Sequence, residues 1–398
     1  MRSGFPMFFR LLWLTLFRSK GSPARFTPRR LLAMCIYLPM LFFEQTMHRI
    51  GFLLDEVLFR GYRKIEVKEP VFVLGIPRSG TTFLHRVMAK DTEKFTTFKF
   101  WELLYAPSIT ERKFWMAVGV IDRALGAPGR KLLAAIESRA FRKLHEIHRV
   151  SLFQPEEDEW LLVHFFSSVF LLWPFPFPEE LWHLVRFDLD TPPADKQRIM
   201  TFYKSCVKRH LYVHGADKRF LSKSPTFSAK IDAINEHFPD ARVVCCVRNP
   251  YDAVPSLMSL MSAIWDVFDN DRQGDTLRDM LLEVADHWYR HPLDRLPHWP
   301  EGRYAFVTYD ALTGDPRQTV ADLYGRLGLE IGAAFDECLR AEREKARTYK
   351  SKHTYSLEQY ALTPEGVVED FADVFEHFGF STDRPVPTEA REYAGETE

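Results

Sequence analysis

The sequence lacks the features that mark several classes of protein. Its five cysteines are an odd number and none has C-x-x-C spacing, which excludes a disulfide framework and a cysteine-based zinc site. Because no disulfides are expected, we predict a reducing compartment and a cytoplasmic protein that is membrane-associated at most. The 53 basic and 54 acidic residues are in balance, so the chain as a whole does not have the positive charge of a nucleic-acid-binding protein.

The chain also lacks an apolar run long enough to span a bilayer. Residues 5–18 and 31–43 are each apolar for about 13 residues, whereas a spanning helix needs about 20. Residues 1–30 contain seven Lys or Arg and no Asp or Glu. We predict that residues 1–69 form a basic, amphipathic helical segment that contacts an anionic membrane surface through residues 1–60. The alternative is that these helices simply pack on the rest of the chain.

What is present is a set of short apolar runs that alternate with helical stretches. The runs cover residues 70–75, 218–225, 241–250 and 303–312. Runs without clean alternation are typical of strands buried on both faces of a parallel sheet. The sequence therefore predicts a three-layer α/β domain with a central parallel sheet, and an active site at the carboxyl ends of its strands.

Three boundaries complete the predicted organisation. The α/β domain covers residues 70–380. A helical insertion at 100–215 lies on the ligand side of the sheet, where it would form the pocket for an acceptor substrate. The insertion is rich in Phe and Trp after Trp160. The polar tail at 381–398 has the composition of a disordered segment.

The loop after the first strand has the outline of a phosphate-binding loop. The sequence VFVLGIPRSGTTFLH, residues 71–85, breaks at Gly75 into a small-residue turn that opens a helix. Glycines let the backbone approach an anion, and a helix N-terminus adds unpaired N–H groups. Thr81 stands where ATP-binding loops carry lysine, and the strand at 242–247 ends in Arg-Asn-Pro, without the aspartate that holds Mg²⁺. The loop therefore predicts an anion site in which Arg78 supplies the positive charge without a metal.

Two motifs resemble those of sulfotransferases that use 3′-phosphoadenosine 5′-phosphosulfate (PAPS), in the bacterial-type branch of that family. They are PRSGTT at 77–82 and RNPYDAVPS, in which Arg248, Pro250 and Ser256 have the family's spacing. The resemblance implies a P-loop-like fold, a 5′-phosphosulfate on the loop, and a 3′-phosphate held by Arg248 and Ser256. The cofactor-binding residues that it implies are Arg78, Ser79, Gly80, Thr81, Thr82, Phe83, Arg248, Ser256, Tyr309, Lys350 and Lys352.

The roles within that set differ. The resemblance implies that Tyr309 and Phe83 meet the adenine base. It also implies that Lys223, in KSP, places a cation beside the transferring group. The C-terminal Arg-Lys-Gly motif of cytosolic family members is absent. The basic segment with Lys350 and Lys352 is its expected substitute, and a solvated basic face is the alternative.

Sulfuryl transfer needs positioning, stabilisation of charge and a base for the acceptor hydroxyl. We assign the first two functions to Arg78 and Lys223, with no metal. Glu102 is the first candidate for the base, because apolar neighbours can raise the pKa of a carboxylate to a useful value. A helix-capping or ion-paired role is its alternative. The cluster at 156–159 is the rival, and its alternative is the decoration of a helix start.

The acceptor side rests on weaker signals. Glu157, Asp158 and His148 are its candidate residues. The aromatic stretch and the apolar N-terminus favour a hydrophobic or lipid-like alcohol over a sugar polymer. Two other functions stay open: a P-loop nucleotide kinase or NTPase, and a nucleotide-binding, membrane-associated protein without turnover. The sequence leaves the oligomeric state undecided.

Overall fold

The computed structural model describes residues 4–140, 151–271, 275–348 and 357–383. Its centre is a five-stranded sheet formed by β1 (Val71–Gly75), β2 (Phe95–Thr96), β3 (Arg219–Lys223), β4 (Arg242–Val247) and β5 (Tyr304–Thr308). The strand order is β2-β3-β1-β4-β5, and each pair is parallel. The predicted α/β fold with a central parallel sheet is confirmed, and each of the four predicted runs contains a strand. The edge strand β2 was missed because two residues give no pattern.

Two long helices precede the sheet. They are α1 (Phe5–Phe17) and α2 (Pro28–Leu58), and a 3₁₀ turn at Arg60–Lys64 follows. Thr27 caps α2 by accepting a hydrogen bond from the N–H of Arg30, and a proline at the first position suits a helix start. Within the described ranges, neither these helices nor any other is long and apolar enough to cross a bilayer.

The segment between β1 and β3 is mainly helical, as predicted. Its helices are α3 (Thr81–Met88), α4 (Phe100–Tyr105), α5 (Ile109–Ala124), α6 (Pro128–Ala140), α7 (Trp160–Val163), α8 (Pro178–Leu181), α9 (Phe187–Asp190) and α10 (Pro193–His214). Short 3₁₀ turns lie at Val169–Leu172 and Trp182–Leu184.

The later helices cover both faces of the sheet. They are α11 (Ile231–His237), α12 (Pro250–Val267), α13 (Thr276–Arg295), α14 (Tyr309–Gly314), α15 (Pro316–Arg326), α16 (Ala333–Thr348), α17 (Pro364–Asp370) and α18 (Ala372–Phe378). Further 3₁₀ turns lie at Pro225–Ala229, Leu296–His298 and Glu358–Tyr360.

Alternation along the strands divides the core into two layers. Phe72, Val243 and Cys245 pack with the insertion and with α12 and α13. Val73 and Cys246 pack on the opposite face. Successive side chains of a strand point to opposite faces of the sheet, so the adjacent cysteines lie in different layers. Both are fully buried, which explains the pair as core residues.

Helices α1 and α2 are attached to the domain along one side only. Leu11 of α1 is fully buried in the main core, and Asp55 of α2 forms a buried ion pair with Arg209, Oδ2 to Nε 2.9 Å. The outer side exposes apolar side chains, with Phe17 69%, Ile36 63% and Phe43 67% exposed. The two helices therefore present a broad apolar face to the surroundings.

Candidate active site

The loop after β1 is shaped by two glycines. Gly75 has φ 131°, and a Cβ built there would lie 2.0 Å from the carbonyl oxygen of Cys246 on the neighbouring strand. Gly80 has φ 90° and precedes the first turn of α3. A Cβ on Gly80 would lie 3.1 Å from Leu312. These positions need glycine because the backbone adopts a left-handed conformation at close quarters.

Arg78 lies at the turn of the loop in a conformation uncommon for a residue with a side chain, φ 71°. Its Nε donates a hydrogen bond of 3.0 Å to the Oγ of Ser256 on α12. Arg248, just past the end of β4, donates from Nη1 to the carbonyl oxygen of Arg78 at 3.3 Å. Arg78 thus meets two residues from a distant part of the sequence at the carboxyl edge of the sheet, where the strand-end rule predicts a site.

Arg248 is held in place from both sides. Its guanidinium carbon lies 4.2 Å from the centre of the Tyr309 ring, and the hydroxyl of Tyr289 donates to its carbonyl oxygen at 2.6 Å. Its Nε is buried and has no hydrogen-bond partner among the described residues. A buried guanidinium N–H without a partner is costly unless an anion binds to it. This atom therefore fits the 3′-phosphate that the family resemblance implies for Arg248.

The other loop residues differ in exposure. Ser79 is buried, and its hydroxyl donates to the carbonyl oxygen of Ile76 at 2.6 Å. Thr81 is also buried, whereas Thr82 and Phe83 are half-buried at the start of α3. The hydroxyl of Ser79 is thus used within the loop, and its side chain contributes to loop shape.

Lys223 lies at the end of β3 and is fully buried. Its Nζ contacts Oε1 of Glu156 at 3.0 Å and Oε1 of Glu157 at 2.9 Å. Burial opposes the charged form, but the two carboxylates outweigh it and raise the pKa of Lys223 above its ordinary value. Lys223 is therefore a fixed cation at this edge of the sheet.

The acidic cluster at 156–159 divides into two pairs. Glu159 accepts hydrogen bonds from Ser168, Thr226 and Lys230 and is fully buried. Asp158 binds the hydroxyl of Tyr203, and burial raises its pKa to about 7. Both side chains hold the insertion to the sheet.

Glu156 and Glu157 face Lys223 but differ in their surroundings. Oε1 of Glu156 also accepts the N–H of Glu157 at 3.1 Å, and only 5% of its side chain is exposed. The side chain of Glu157 is 19% exposed. Within the cluster, Glu157 is the carboxylate that combines contact with Lys223 and access from outside.

The structure places Glu102 in a different environment. Its Oε1 lies 3.2 Å from Nε of Arg112 and 2.6 Å from Nε2 of His214. Its Oε2 accepts the N–H of Lys99 at 2.8 Å, which closes the start of α4. Burial favours the neutral form, but the charge of Arg112 outweighs it and lowers the pKa of Glu102 far below its ordinary value. A low pKa and two occupied oxygens do not favour the predicted role as base.

Three predicted residues, Lys350, Lys352 and His148, lie outside the described residues.

A cavity of about 370 Å³ adjoins the loop. Glu156, Glu157 and Thr226 form its polar end, and Pro77 of the loop also lines it. The rest of the wall is apolar and comes from the insertion and from α12 and α13, including Trp160, Phe170, Trp173, Leu257, Met261, Ile264, Phe268, Met280, Leu281, Val284 and Trp288. A hydrophobic cavity with polar groups at one end binds an apolar molecule in one orientation.

The contribution of α12 and α13 to this cavity was not predicted. Leu257, Leu260, Met261 and Ile264 follow Ser256 with helical spacing, and Leu277, Leu281 and Val284 repeat the pattern on α13. This periodicity indicates an apolar face, but it does not distinguish core from cavity wall. Only the packing of the two helices leaves the space open.

Two groups of side chains within the described ranges have spacing that could hold a metal ion. The first is Glu102, His210 and His214, where the buried cation of Arg112 already balances the carboxylate. The second is Asp188, Asp232 and His291. Asp188 there accepts the N–H groups of Asp232 and Ala233 at the start of α11. Each arrangement thus has a structural explanation, and neither adjoins the loop cavity.

The chain is similar in sequence to known sulfotransferases. A sequence profile described as "Sulfotransferase family" matches residues 70–333. The omega-hydroxy-beta-dihydromenaquinone-9 sulfotransferases Stf3 of Mycobacterium bovis and Mycobacterium tuberculosis are each 26% identical over 336 residues. The alignment covers 82% of this chain and 79% of the relative.

Two crystal structures resemble the fold over most of the chain. Sulfotransferase STF9 from Mycobacterium avium has a TM-score of 0.71 and 19% identity, covering 94% of this chain and 91% of that chain. Sulfotransferase STF1 from Mycobacterium tuberculosis has a TM-score of 0.65 and 22% identity, covering 92% of each chain. At these identities the likeness concerns the fold alone.

Proposed function

The chain belongs to the sulfotransferase family, and from that premise we propose that it transfers the sulfuryl group of PAPS to the hydroxyl of a hydrophobic, lipid-like acceptor. The observation that carries the proposal is the cavity beside the loop. Pro77 of the loop lines it, its polar end contains Glu157, which contacts Lys223, and the rest of its wall is apolar. The anion cradle and the space for an apolar molecule thus meet at one point.

The residues around the loop fit the two anionic ends of PAPS. The Nε of Arg248, which is buried and has no hydrogen-bond partner in the described part of the chain, would donate to the 3′-phosphate. Ser256 lies beside it through the hydrogen bond to Arg78. The N–H groups at the start of α3 would hold the 5′-phosphosulfate. Tyr309, under the guanidinium of Arg248, would meet the adenine. The co-substrate supplies an activated sulfuryl group.

The protein's own contribution to transfer is positioning, charge and a base. We propose that Glu157 takes the proton of the acceptor hydroxyl, whose oxygen forms the new bond to sulfur as the bond from sulfur to the 5′-phosphate oxygen breaks. The products are a sulfate monoester and 3′-phosphoadenosine 5′-phosphate. Lys223 and Arg78 would stabilise the negative charge on the oxygens around sulfur. These two side chains would supply the compensating positive charge without a metal.

The acceptor class follows from the lining of the cavity. Burial of apolar surface contributes about 25 cal/mol per Å², so a hydrocarbon acceptor gains affinity from the aromatic and aliphatic wall. A sugar polymer would lose hydration there without compensating hydrogen bonds. The relative Stf3 has a hydroxylated menaquinone in its name, which supports an apolar alcohol for this chain.

We also propose that the outer face of α1 and α2 contacts an anionic membrane. Exposed Phe17, Ile36 and Phe43 supply apolar surface, and the excess of Lys and Arg in residues 1–30 supplies attraction to acidic lipids. Co-sedimentation with phosphatidylglycerol vesicles should fall in Ile36→Glu. It should not fall in Leu189→Glu, which alters an exposed leucine on another helix. Equal loss in both variants would count against this contact.

The test of the proposed reaction is product formation from PAPS and a long-chain primary alcohol in the presence of EDTA. Glu157→Gln should lower kcat at least 100-fold, because general-base catalysis contributes roughly 10²–10⁴-fold. Glu301→Gln, an exposed site distant from the cavity lining, is the matched control and should keep full activity. Sulfation of soluble glycans without sulfation of apolar alcohols would refute the acceptor class. An unchanged kcat in Glu157→Gln would refute the assigned base.

A further inference from the structure

A second pocket lies at the opposite end of the sheet from the active site. Its volume is about 480 Å³, within the range of small-molecule sites, about 300–1,000 Å³. It lies between α10, the 3₁₀ turn at Arg60–Lys64 and the end of α11. The turn precedes β1 and α11 precedes β4, so the pocket lies at the amino ends of these strands. It is therefore separate from the loop and the cavity at the carboxyl ends.

The lining of this pocket has an excess of positive charge. Among the described residues it contains three Lys or Arg, namely Arg63, Lys204 and Lys208, and one carboxylate, Glu236. The guanidinium of Arg63 is already paired with Glu56. Lys204 and Lys208 are half-buried, and neither forms an ion pair within the described part of the chain. The two lysines of α10 therefore carry the charge that a ligand would meet.

Backbone contacts hold both ammonium groups in place. Nζ of Lys204 donates to the carbonyl oxygen of His237 at 2.6 Å, and Nζ of Lys208 donates to that of Arg63 at 3.1 Å. Each contact uses one of the three N–H groups of an ammonium, so two on each lysine are left for another acceptor. Burial and then the charge of Lys208 lower the pKa of Lys204. An anion that binds between these like charges, one helical turn apart, would relieve their repulsion.

His237 adds an acceptor to the same pocket. Its Nδ1 lies 3.0 Å from the carbonyl oxygen of Ala233. A carbonyl oxygen can only accept, so Nδ1 carries the proton and Nε2 of the neutral ring is an acceptor. His237 is 8% exposed, and its Nε2 is buried without a hydrogen-bond partner among the described residues. A buried acceptor without a donor is costly, and a hydroxyl group of a ligand would satisfy it.

We propose that this pocket, with Lys204, Lys208 and His237 as its binding groups, takes a phosphate ester that has a neighbouring hydroxyl group. The ammonium groups would donate to the phosphate oxygens, and the hydroxyl would donate to Nε2 of His237. Glycerol phosphate has this chemistry, both as a free molecule and as the headgroup of phosphatidylglycerol. A lipid bound there would find apolar surface at the end of α2, where Val57 is 70% and Leu58 60% exposed, directly before the 3₁₀ turn.

The first test is calorimetric titration of sn-glycerol 3-phosphate into the full chain. Arg248→Ala alters the loop at the other edge of the sheet and should bind this compound as the unaltered protein does. Loss of binding in Arg248→Ala would place the compound at the loop and overturn the inference. None of these measurements uses sulfuryl transfer, so a negative result leaves the proposed function intact.

Lys204→Gln removes the charge but keeps an N–H group for the carbonyl oxygen of His237. We expect Kd to rise about tenfold, which corresponds to about 1.4 kcal/mol, and Lys208→Gln should act alike. Lys196→Gln is the matched control and should stay within about twofold. Lys196 is half-buried on the same helix and its Nζ also donates to a backbone carbonyl oxygen, that of Asp188, but it lies outside the pocket lining. No change in both pocket variants, or an equal loss in the control, would overturn the inference.

His237→Asn tests the hydroxyl contact. Its amide N–H still reaches the carbonyl oxygen of Ala233, whereas the acceptor at the position of Nε2 is lost. Kd for glycerol phosphate should rise about tenfold. Kd for methyl phosphate, an ester without a second hydroxyl, should stay within about twofold. An equal change for both esters would contradict the proposed ligand class.

Vesicles distinguish the two sources of the ligand. Phosphatidylglycerol and phosphatidylserine have the same net charge, but only the first has glycerol hydroxyls in its headgroup. Stronger co-sedimentation with phosphatidylglycerol, lost in Lys204→Gln, would assign the pocket to the lipid. Equal co-sedimentation with both lipids, together with binding of glycerol phosphate in solution, would assign it to a free ester. Equal co-sedimentation without binding in solution would overturn the inference.

Discussion

Replacement of Arg248 by alanine should abolish most of the affinity for 3′-phosphoadenosine 5′-phosphate. The side chain stacks on Tyr309 at 4.2 Å, donates to the backbone of the loop and keeps a buried Nε without a partner among the described residues. That atom is positioned by contacts that exist before a ligand arrives. Because the side chain is already ordered, little of the free energy of a phosphate contact is lost to ordering it.

The magnitude follows from the contacts that alanine removes. A hydrogen bond to a charged group contributes about 1.5–3 kcal/mol, and the loop also loses the contact of Arg248 with the carbonyl oxygen of Arg78. We expect a loss of about 3 kcal/mol in binding, which corresponds to a roughly 150-fold higher Kd. Arg248→Lys should recover only part of this loss, because a point charge cannot replace the planar fork.

The measurement is calorimetric titration with EDTA present. Arg303→Ala is the matched control, since Arg303 also stacks on an aromatic ring, Trp299 at 4.6 Å, and donates to a backbone carbonyl oxygen, that of Ala241 at 2.9 Å. It lies before β5, at the opposite end of the strands. The reasoning is refuted if Arg248→Ala binds within about threefold of the unaltered protein, or if both variants lose affinity equally.

Three further predictions concern the loop and the buried carboxylates. Gly75→Ala should lower the free energy of unfolding by about 2–5 kcal/mol. Gly119→Ala is the control and should not lower it, because a new Cβ at that position meets nothing within 4 Å. Urea denaturation measures the free energy of unfolding of both variants. Glu102→Gln should lower Tm, because it removes the charge partner of the buried guanidinium of Arg112 and reduces the free energy of unfolding by about 3 kcal/mol. The kcat of this variant should stay within a few-fold of the unaltered protein. A 100-fold loss of kcat at unchanged Tm would restore Glu102 as the base. Asp158→Asn should raise Tm more at pH 8 than at pH 5. Burial raises the pKa of Asp158 to about 7 from an ordinary 3.8, so the contribution of Asp158 to stability falls as pH rises from the lower to the higher pKa. An equal change in Tm at both pH values would contradict this.

The fold and the proposed phosphate-binding end of the site could be predicted from contiguous residues. Buried parallel strands are apolar runs, and the loop from Gly75 to Thr82 needs glycine and small polar residues at fixed positions. Local backbone geometry imposes these requirements whatever the rest of the chain does. The parallel sheet is confirmed for that reason. Because parallel strands end at one edge of the sheet, the sequence also predicted that Arg78 and Arg248 lie near each other.

The choice among carboxylates could not be made from the sequence. Glu102 has apolar neighbours in sequence, which predicted a raised pKa. Its pKa is instead lowered by Arg112 and by His214, which lies 112 residues away. Glu157 lies in a run of four acids that look alike in sequence, and only its contact with Lys223 and its partial exposure distinguish it. Burial and ion pairing are properties of the tertiary arrangement, so they set pKa values that local composition does not reveal.

The sequence by itself determined the strands, the shape of the loop after β1 and the basic, apolar N-terminus, because each follows from the composition and conformational needs of adjacent residues. The apolar cavity beside the loop was decided only by tertiary structure. The apolar faces of α12 and α13 have the same periodicity as core helices. Whether such faces close on each other or leave a space depends on the distance at which helices from separate parts of the chain pack. Periodicity contains no information about the distance between two helices.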